Sequence, residues 1–444
     1  MKRAENLEEI LNAFQPIPLD EVNVPEFYYD NTMPTRMGHD FRSPLEDLLE
    51  DCTKLLLGAN AHLLLGHGGS GKSTELINLK IRLKEAGQPV NIFRTELEAN
   101  LYEADCWDIM LFITEGLCSI ADDHKIKIPN NFLQSVFDYL KKDLEEIEET
   151  TTDASTSVSG KTSASISIGR LLELCAAIKG NLHFGTQTRT IIKEKVEKRA
   201  SEWMKYIGLI SDYIACEMDG KQPILIFEGF DKIQPPERAF EVFRHDILAK
   251  MPFPIIYTFP ISLAYDPKFS SIESFYKIRV LPMIKVSNDD KTKNDDGIEV
   301  MRKIVELRAN LELFDNNVLE YLIRQTGGVL RHLFLCITDA SRLARRSGSD
   351  KIKQDDAERA LSDLSSNLSR RISDEDHDAL AKIYSDPDSR KSIGDKESLL
   401  LQMQALVVLE YQNGDRWHDL HPLIAKFLIS QGVIKDQGVI NVKS

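Results

Sequence analysis

Nowhere does the sequence bring two cysteines close enough to share a metal or to frame a disulfide-rich module. Its six cysteines, Cys52, Cys106, Cys118, Cys175, Cys216 and Cys336, are scattered through 444 residues with no Cys-x-x-Cys pair. That excludes the usual zinc clusters and disulfide scaffolds. The apolar neighbours of most of these thiols predict buried, reduced side chains. Long apolar runs are missing too: no window approaches the ~20 residues that a membrane-spanning helix needs. The opening MKRAENLEEILNAF carries acids where a secretory leader would be apolar. A cytoplasmic protein without membrane contact is the expectation. Positive charge is scarce, with 55 Lys and Arg against 70 Asp and Glu and a net charge of −15. Broad non-specific nucleic-acid binding depends on basic residues that release counterions, so this balance disfavours it. No internal repeat is visible, and no Ser-His-Asp or Cys-His set can be argued from chain order. His418 and His421 share an HDLH segment, but nothing nearby offers the third and fourth ligands of a metal site.

What is present is ordinary globular material, 42% hydrophobic and 28% charged, in a chain long enough for two or three domains. Residues 1–45, broken by Pro16, Pro18, Pro25 and Pro34, read as an arm leading into a first helix. From residue 46 to 296 apolar strands alternate with helical segments, the rhythm of an α/β fold with a parallel sheet. AHLLLG (61–66), PVNIFRTEL (89–97), PILIFE (223–228), FPIIYTF (253–259) and YKIRVLPMIKV (276–286) are the strands. Their near-continuous apolar character predicts burial on both faces. Helices are expected at 103–122, 131–148 and 188–217. The Ser/Thr-rich stretch 149–167 has too few apolar residues to offset its ordering entropy and reads as a mobile insertion. Residues 297–350 read as helices only, a lid. Residues 351–444 read as helices followed by two apolar runs around Asn413-Gly414, a strong hairpin signal. Helices followed by a hairpin suggest a winged helix.

The chemistry centres on Gly66-His67-Gly68-Gly69-Ser70-Gly71-Lys72-Ser73, which fits G-x-x-x-x-G-K-[ST] at every fixed position. Gly66, Gly68, Gly69 and Gly71 let a loop wrap so that its N–H groups, with those of Ser70 and Thr74, converge on phosphate oxygens. Lys72 supplies positive charge to the β- and γ-phosphates, and the Ser73 hydroxyl is a ligand for Mg2+. The helix beginning here points its positive dipole end at the same anion. A strand before and an amphipathic helix after complete the setting, so the chain is expected to bind a nucleoside triphosphate. His67 reads as a tolerated variable position inside the loop.

A second acidic feature is needed beside the metal. ILIF ends at Glu228, followed by Gly229, Phe230 and Asp231. Glu228 at the strand end would hold the metal, while Asp231 or Glu228 itself would polarise the attacking water. Lys72, Glu228 and Asp231 are therefore the expected catalytic set, with Ser73 and Glu228 on the metal. Glutamate is one methylene longer than the aspartate usual at such a strand end, which puts the rate of turnover at issue rather than metal binding.

With GHGGSGKSTEL, EGFDK, IIYTFP, TGGVLR (326–331) and WHDLHPL in this order, the chain resembles the AAA+/STAND ATPases. The likeness is nearest to the branch shared by origin-recognition-type initiators and bacterial signalling and defence ATPases. The resemblance implies a P-loop NTPase sheet ordered 5-1-4-3-2, a helical lid, a C-terminal winged helix, ATP as ligand and nucleotide-dependent oligomerisation. The lack of a guanine-reading Asn/Thr-Lys-x-Asp tetrapeptide agrees with ATP. It also implies that Thr258 approaches the γ-phosphate as sensor 1 and that Arg331 reaches the nucleotide from the lid as sensor 2. Arg244 is the candidate for an arginine finger.

Two functional readings follow. The favoured one is a slow, Mg2+-dependent ATPase acting as a switch, paired with a second copy of itself or with an effector protein. Bacterial signalling or antiphage defence is the setting that the resemblance suggests. The alternative is a DNA-binding initiator or loader that uses the winged helix on duplex DNA. Residues 351–444 hold 13 Lys and Arg against 16 Asp and Glu, a poor balance for a DNA reader, so nucleic acid is the less favoured partner.

Overall fold

The computed structural model describes residues 1–38, 42–54, 60–94, 106–150, 168, 169, 171, 173, 175, 200–233, 235–391 and 397–435. Residues 151–167 of the Ser/Thr-rich stretch, the first part of the helix expected at 188–217 and the end of the strand expected at 89–97 lie outside the described residues, while 149 and 150 end the helix Asn130–Thr150. A five-stranded sheet forms the centre: β1 (Ala61–Gly66), β2 (Val90–Arg94), β3 (Ile224–Glu228), β4 (Ile255–Pro260) and β5 (Lys277–Val280). Every pairing is parallel, and the order is β2-β3-β4-β1-β5. This is the expected 5-1-4-3-2 arrangement read from the other edge, an α/β P-loop ATPase fold.

Side-chain alternation gives the sheet two dry faces. Leu64, Ile226 and Ile256 pack against Leu45, Leu48, Leu76 and Leu79 from the helices Pro44–Lys54 and Lys72–Glu85. Leu63, Phe227 and Tyr257 face the other way, toward the helices Cys106–Asp123 and Ala200–Glu217. On that face Phe93, Phe227 and Tyr257 stack in a row, with centroid separations of 5.2 and 5.5 Å. The register sets Leu64 beside Thr258 and Arg94 beside Glu228. The carboxyl ends of the strands therefore meet along one edge, where α/β sheets bind ligands.

The last strand is shorter than its apolar run suggests. It stops at Val280, its residues are only half-buried, and it carries Lys277 and Arg279 toward Asp51, at 3.3 and 3.0 Å. Pro282 explains the stop, because it has no N–H to continue the ladder. Leu281, Met283, Ile284 and Val286 stay buried as an irregular segment leading into the lid.

Where the sequence reading places a lid, the chain forms the helices Asp295–Arg308, Val318–Gln325 and Leu330–Arg346, called the lid below. Residues 1–14, read from sequence as part of a lead-in arm, are built into it. Ala4 bridges Ala309, and Ile10 and Phe14 share a core with Leu333 and Phe334. The C-terminal unit follows with the helices Gln354–Ser369, His377–Ser385 and Glu397–Gln404. The antiparallel hairpin β6 (Val408–Asn413) and β7 (Asp415–Leu420) and the helix Pro422–Ser430 complete it. Leu423, Ile424 and Leu428 belong to the same core as the lid.

Gly327 and Gly328 lie between the second and third of the lid helices, packed against the C-terminal unit and the segment that follows β5. Gly328 has φ +79°, and a Cβ there would lie 1.9 Å from the carbonyl oxygen of Ile284. Gly348 also has a positive φ, +74°, but open space around it. Gly348→Ala is therefore expected to cost about 1 kcal/mol from backbone strain alone. Gly328→Ala should cost about 3 kcal/mol or more, because strain and a backbone clash add. Urea-denaturation midpoints of the two variants check the difference.

Candidate functional site

Between β1 and the helix Lys72–Glu85 the chain makes a tight loop that only glycine can follow at two points, Gly69 at φ +79° and Gly71 at φ +100°. The lid presses on it. A Cβ on Gly69 would lie 2.8 Å from the Cβ of Arg331, and one on Gly68 would lie 3.9 Å from that guanidinium. Gly66 is restricted from the sheet side, by the Leu281 carbonyl at 2.8 Å. Ser70 is buried, and its carbonyl accepts a hydrogen bond of 2.8 Å from Arg36. Arg36, almost wholly buried, also donates to the Pro282 carbonyl at 2.6 Å. This arginine of the N-terminal segment thus pins the loop to the end of the sheet, a role that sequence spacing did not signal. Thr74 accepts a weak bond of 3.4 Å from the Leu19 amide, a second tie to the same segment.

Lys72 lies inside the loop and donates to the carbonyls of Gly66 and His67 at 2.7 and 3.0 Å. Its ammonium also pairs with Asp231 at 2.9 Å, both side chains being over nine-tenths buried. Burial works against ionising Asp231, but the Lys72 charge outweighs it and holds that carboxyl below the usual range. Glu228 behaves in the opposite way. Burial pushes its pKa up, and the Ser73 hydroxyl bond, Lys232 and Arg94 only partly offset this. The Ser73 hydroxyl donates directly to the Glu228 carboxylate. The structure thus brings Lys72, Ser73, Glu228 and Asp231 together.

Thr258, expected from the resemblance to approach the γ-phosphate, holds the turn after β3. It is fully buried in β4, and its hydroxyl accepts from the amides of Gly229 at 2.9 Å and Asp231 at 3.4 Å. It shapes the turn that carries Asp231 instead of lining the cleft beside the loop. Arg331 does line that cleft, together with Gly68, Lys72, Ser73 and Asp231. Arg244 is exposed at the end of the helix Arg238–Phe243.

These residues fit a nucleoside triphosphate with Mg2+. The paired hydroxyl and carboxylate of Ser73 and Glu228 are the hard oxygen donors that Mg2+ takes. The positive-φ glycines leave the loop backbone open to phosphate, and Lys72 and Arg331 bring cationic charge to the same cleft. Among the described residues no group of three or more His, Cys, Asp and Glu could hold a metal by itself. Of the six cysteines, all but Cys216 are buried and none forms a disulfide.

His67, read as a tolerated variable residue, is instead buried and bonded. Its Nε2 accepts the Glu410 amide of β6 at 2.8 Å, which ties the phosphate loop to the C-terminal hairpin. A backbone N–H can only donate, so this ring is neutral with its proton on Nδ1. Nearby, Tyr265 donates to the Glu410 carboxylate and lies 2.8 Å from His418 Nε2, while His418 Nδ1 sits 2.7 Å from the Arg390 carbonyl. His421 contacts His332 of the lid at 3.0 Å and caps the helix Pro422–Ser430. The two histidines of the HDLH segment are therefore structural. Local spacing could not reveal contacts made across 28 to 343 residues.

Burial, reinforced by Lys72, pushes His67 down to about 3, while burial first of all takes His332 and His418 down to about 4, from an ordinary 6.5. Above pH 6.5 these groups are neutral in both folded and unfolded chains. Below it the unfolded chain takes up protons that the folded one refuses, so stability falls with pH down to about 3–4. Each histidine is expected to cost about 1 kcal/mol at pH 5.5. Thermal melting between pH 7.5 and 5 reads this directly.

No protein-family model and no curated protein sequence matches this chain. Among solved structures it is similar to a Walker-type ATPase of Pyrococcus abyssi, at 15% identity and a TM-score of 0.41, over 94% of this chain and 99% of that one. It is also similar to the Aeropyrum pernix ORC1 protein solved in complex with DNA, at 12% identity and a TM-score of 0.38, over 88% and 92%. Cdc6p from Pyrobaculum aerophilum stands at 12% identity and a TM-score of 0.36, over 88% and 93%. At such identities and scores the likeness does not say what this chain binds, and its α/β P-loop ATPase fold rests on the strand order and the position of the loop.

Proposed function

We propose that the protein is an ATP-binding, Mg2+-dependent P-loop ATPase that works as a nucleotide-controlled switch. The observation that carries this reading is the loop's double attachment. One side of the loop holds Lys72 and Ser73 against Asp231 and Glu228, and the other side holds His67 against Glu410 of the C-terminal hairpin. A change in what the loop holds is thereby felt by the C-terminal unit, which we read as a winged helix.

Lys72 and the loop amides would bind the phosphates, with Ser73 and Glu228 on Mg2+, which when bound supplies charge neutralisation for the phosphate oxygens. An incoming γ-phosphate competes with Asp231 for Lys72, and an Asp231 released in this way can orient and accept a proton from water. Glu228 keeps the Ser73 hydroxyl oriented, and Arg331 brings the lid's charge to the same cleft. Binding energy that differs between ATP and ADP would then shift the lid and the hairpin between arrangements. The output would pass to a second copy or an effector protein, in bacterial signalling or antiphage defence.

Hydrogen exchange at the Glu410 amide tests the coupling. Mg2+ with ATP is expected to change its protection at least tenfold relative to ADP. Equal protection in both states would reduce the protein to a nucleotide-binding scaffold. Salt-sensitive retention of duplex DNA would instead favour a DNA loader.

A further inference from the structure

The cleft that holds the phosphate loop extends away from it, between Pro16, Ile17 and Tyr29 of the N-terminal segment and Ile304, Arg308 and Phe334 of the lid. This end is largely apolar and flanked by aromatic rings. It contains one charged group that the phosphates do not account for. Arg308, the last residue of the helix Asp295–Arg308, is 5% exposed. Its Nη1 donates to the Ala13 carbonyl at 3.1 Å, and its guanidinium carbon lies 4.6 Å from the centroid of the Phe334 ring. Its Nε has no hydrogen-bond partner among the described residues. A buried donor left unpaired forfeits its hydration without compensation, and a charged one more so. An acceptor supplied by a ligand in the same cleft resolves that cost.

We infer that Arg308 is a base-reading residue, whose Nε donates to one ring nitrogen of an adenine lying in the apolar end of the cleft. This deepens the nucleotide-binding reading and rests on it. A single fixed donor between apolar walls suits adenine, which offers the acceptors N1, N3 and N7 and brings only its 6-amino group as a donor. Guanine would also bring its N1–H and 2-amino donors, which call for a carboxylate. Of the two carboxylates of the cleft, one is engaged and the other stands at the phosphate end. Glu75 accepts from Tyr28 at 2.6 Å, and Asp231 is paired with Lys72. The N-terminal segment is thus part of the specificity apparatus, because the Ala13 carbonyl holds the guanidinium while Pro16, Ile17 and Tyr29 wall the base.

Equilibrium binding of ATP, GTP and the 1-deaza, 3-deaza and 7-deaza analogues of ATP, each with Mg2+, tests the assignment on the wild-type chain. One deaza analogue is expected to bind about tenfold more weakly than ATP, as loss of one hydrogen bond to a charged donor predicts. GTP should be weaker still. Against Arg308→Met, ATP should lose the same factor and the sensitive analogue should bind no worse than ATP. Arg308→Lys, which keeps the charge, controls for folding. If all three analogues match ATP on the wild-type chain, or if the penalty survives in Arg308→Met, Arg308 does not read the base. If neither ATP nor GTP binds at all, the nucleotide-binding reading itself falls, an outcome distinct from unselective binding.

Discussion

Glu228→Gln is expected to lower phosphate release from ATP at least 100-fold while leaving Mg2+–ATP affinity within a few-fold of wild type. Glutamine keeps the length and can still accept from the Ser73 hydroxyl that now donates to Glu228. What it removes is the negative charge that Glu228 would bring to the metal, and one such electrostatic element is typically worth about 10²–10³ in rate. The phosphates retain Lys72, the loop amides and Arg331, so binding survives. Glu228→Asp is the informative companion. If the longer side chain is needed to span from β3 to Ser73, the shorter acid will also lose rate; if only charge matters, it will turn over at a similar or higher rate. Quenched-flow or coupled phosphate assays decide. Phosphate release by Glu228→Gln within threefold of wild type would remove Glu228 from the catalytic set. A wild-type chain that binds Mg2+–ATP yet releases no phosphate would be a nucleotide-held switch awaiting a partner.

Lys72→Ala should have two effects that can be separated. ATP affinity is expected to fall at least 100-fold, because the cation that would meet the β- and γ-phosphates is gone. The variant should also be less stable by about 3 kcal/mol, since Asp231 keeps its buried charge and loses its partner. Those two side chains are 5% and 7% exposed, which puts the pair in the range where desolvation matters. Adding Asp231→Asn to Lys72→Ala should recover much of the stability and none of the ATP affinity. Urea midpoints and calorimetric titration with ATP measure the two quantities on the same samples. Recovery of binding together with stability would mean that Lys72 acts only through the fold.

The parts of this molecule that were readable in advance are those written in adjacent residues. β1, the glycine loop and the following helix form one uninterrupted segment whose apolar period changes from strand to helix at Lys72. The acid at the end of β3 is equally local. Where the run YKIRVLPMIKV was read as one strand, its unbroken apolar character masked the stop at Val280, because Leu281 stays in the sheet core, Met283 packs with the C-terminal hairpin, and Ile284 and Val286 pack with the lid. His67 was misread for a related cause. A histidine between glycines looks tolerated until its partner, the Glu410 amide, is brought to it by the fold.

Sequence patterns thus marked the alternation of strands and helices, the phosphate loop and the four side chains expected around it, because each depends on spacing within a few residues or on apolar runs, while the sheet order came from the resemblance. Tertiary structure alone decided that Lys72 is paired with Asp231, that Thr258 supports the turn after β3, that residues 1–14 are built into the lid, and that the C-terminal hairpin is bonded to the phosphate loop. Those contacts join segments from 29 to more than 300 residues apart, most of them through buried polar atoms. A buried polar atom must find its partner wherever the packed chain supplies one, and no local period records where that will be.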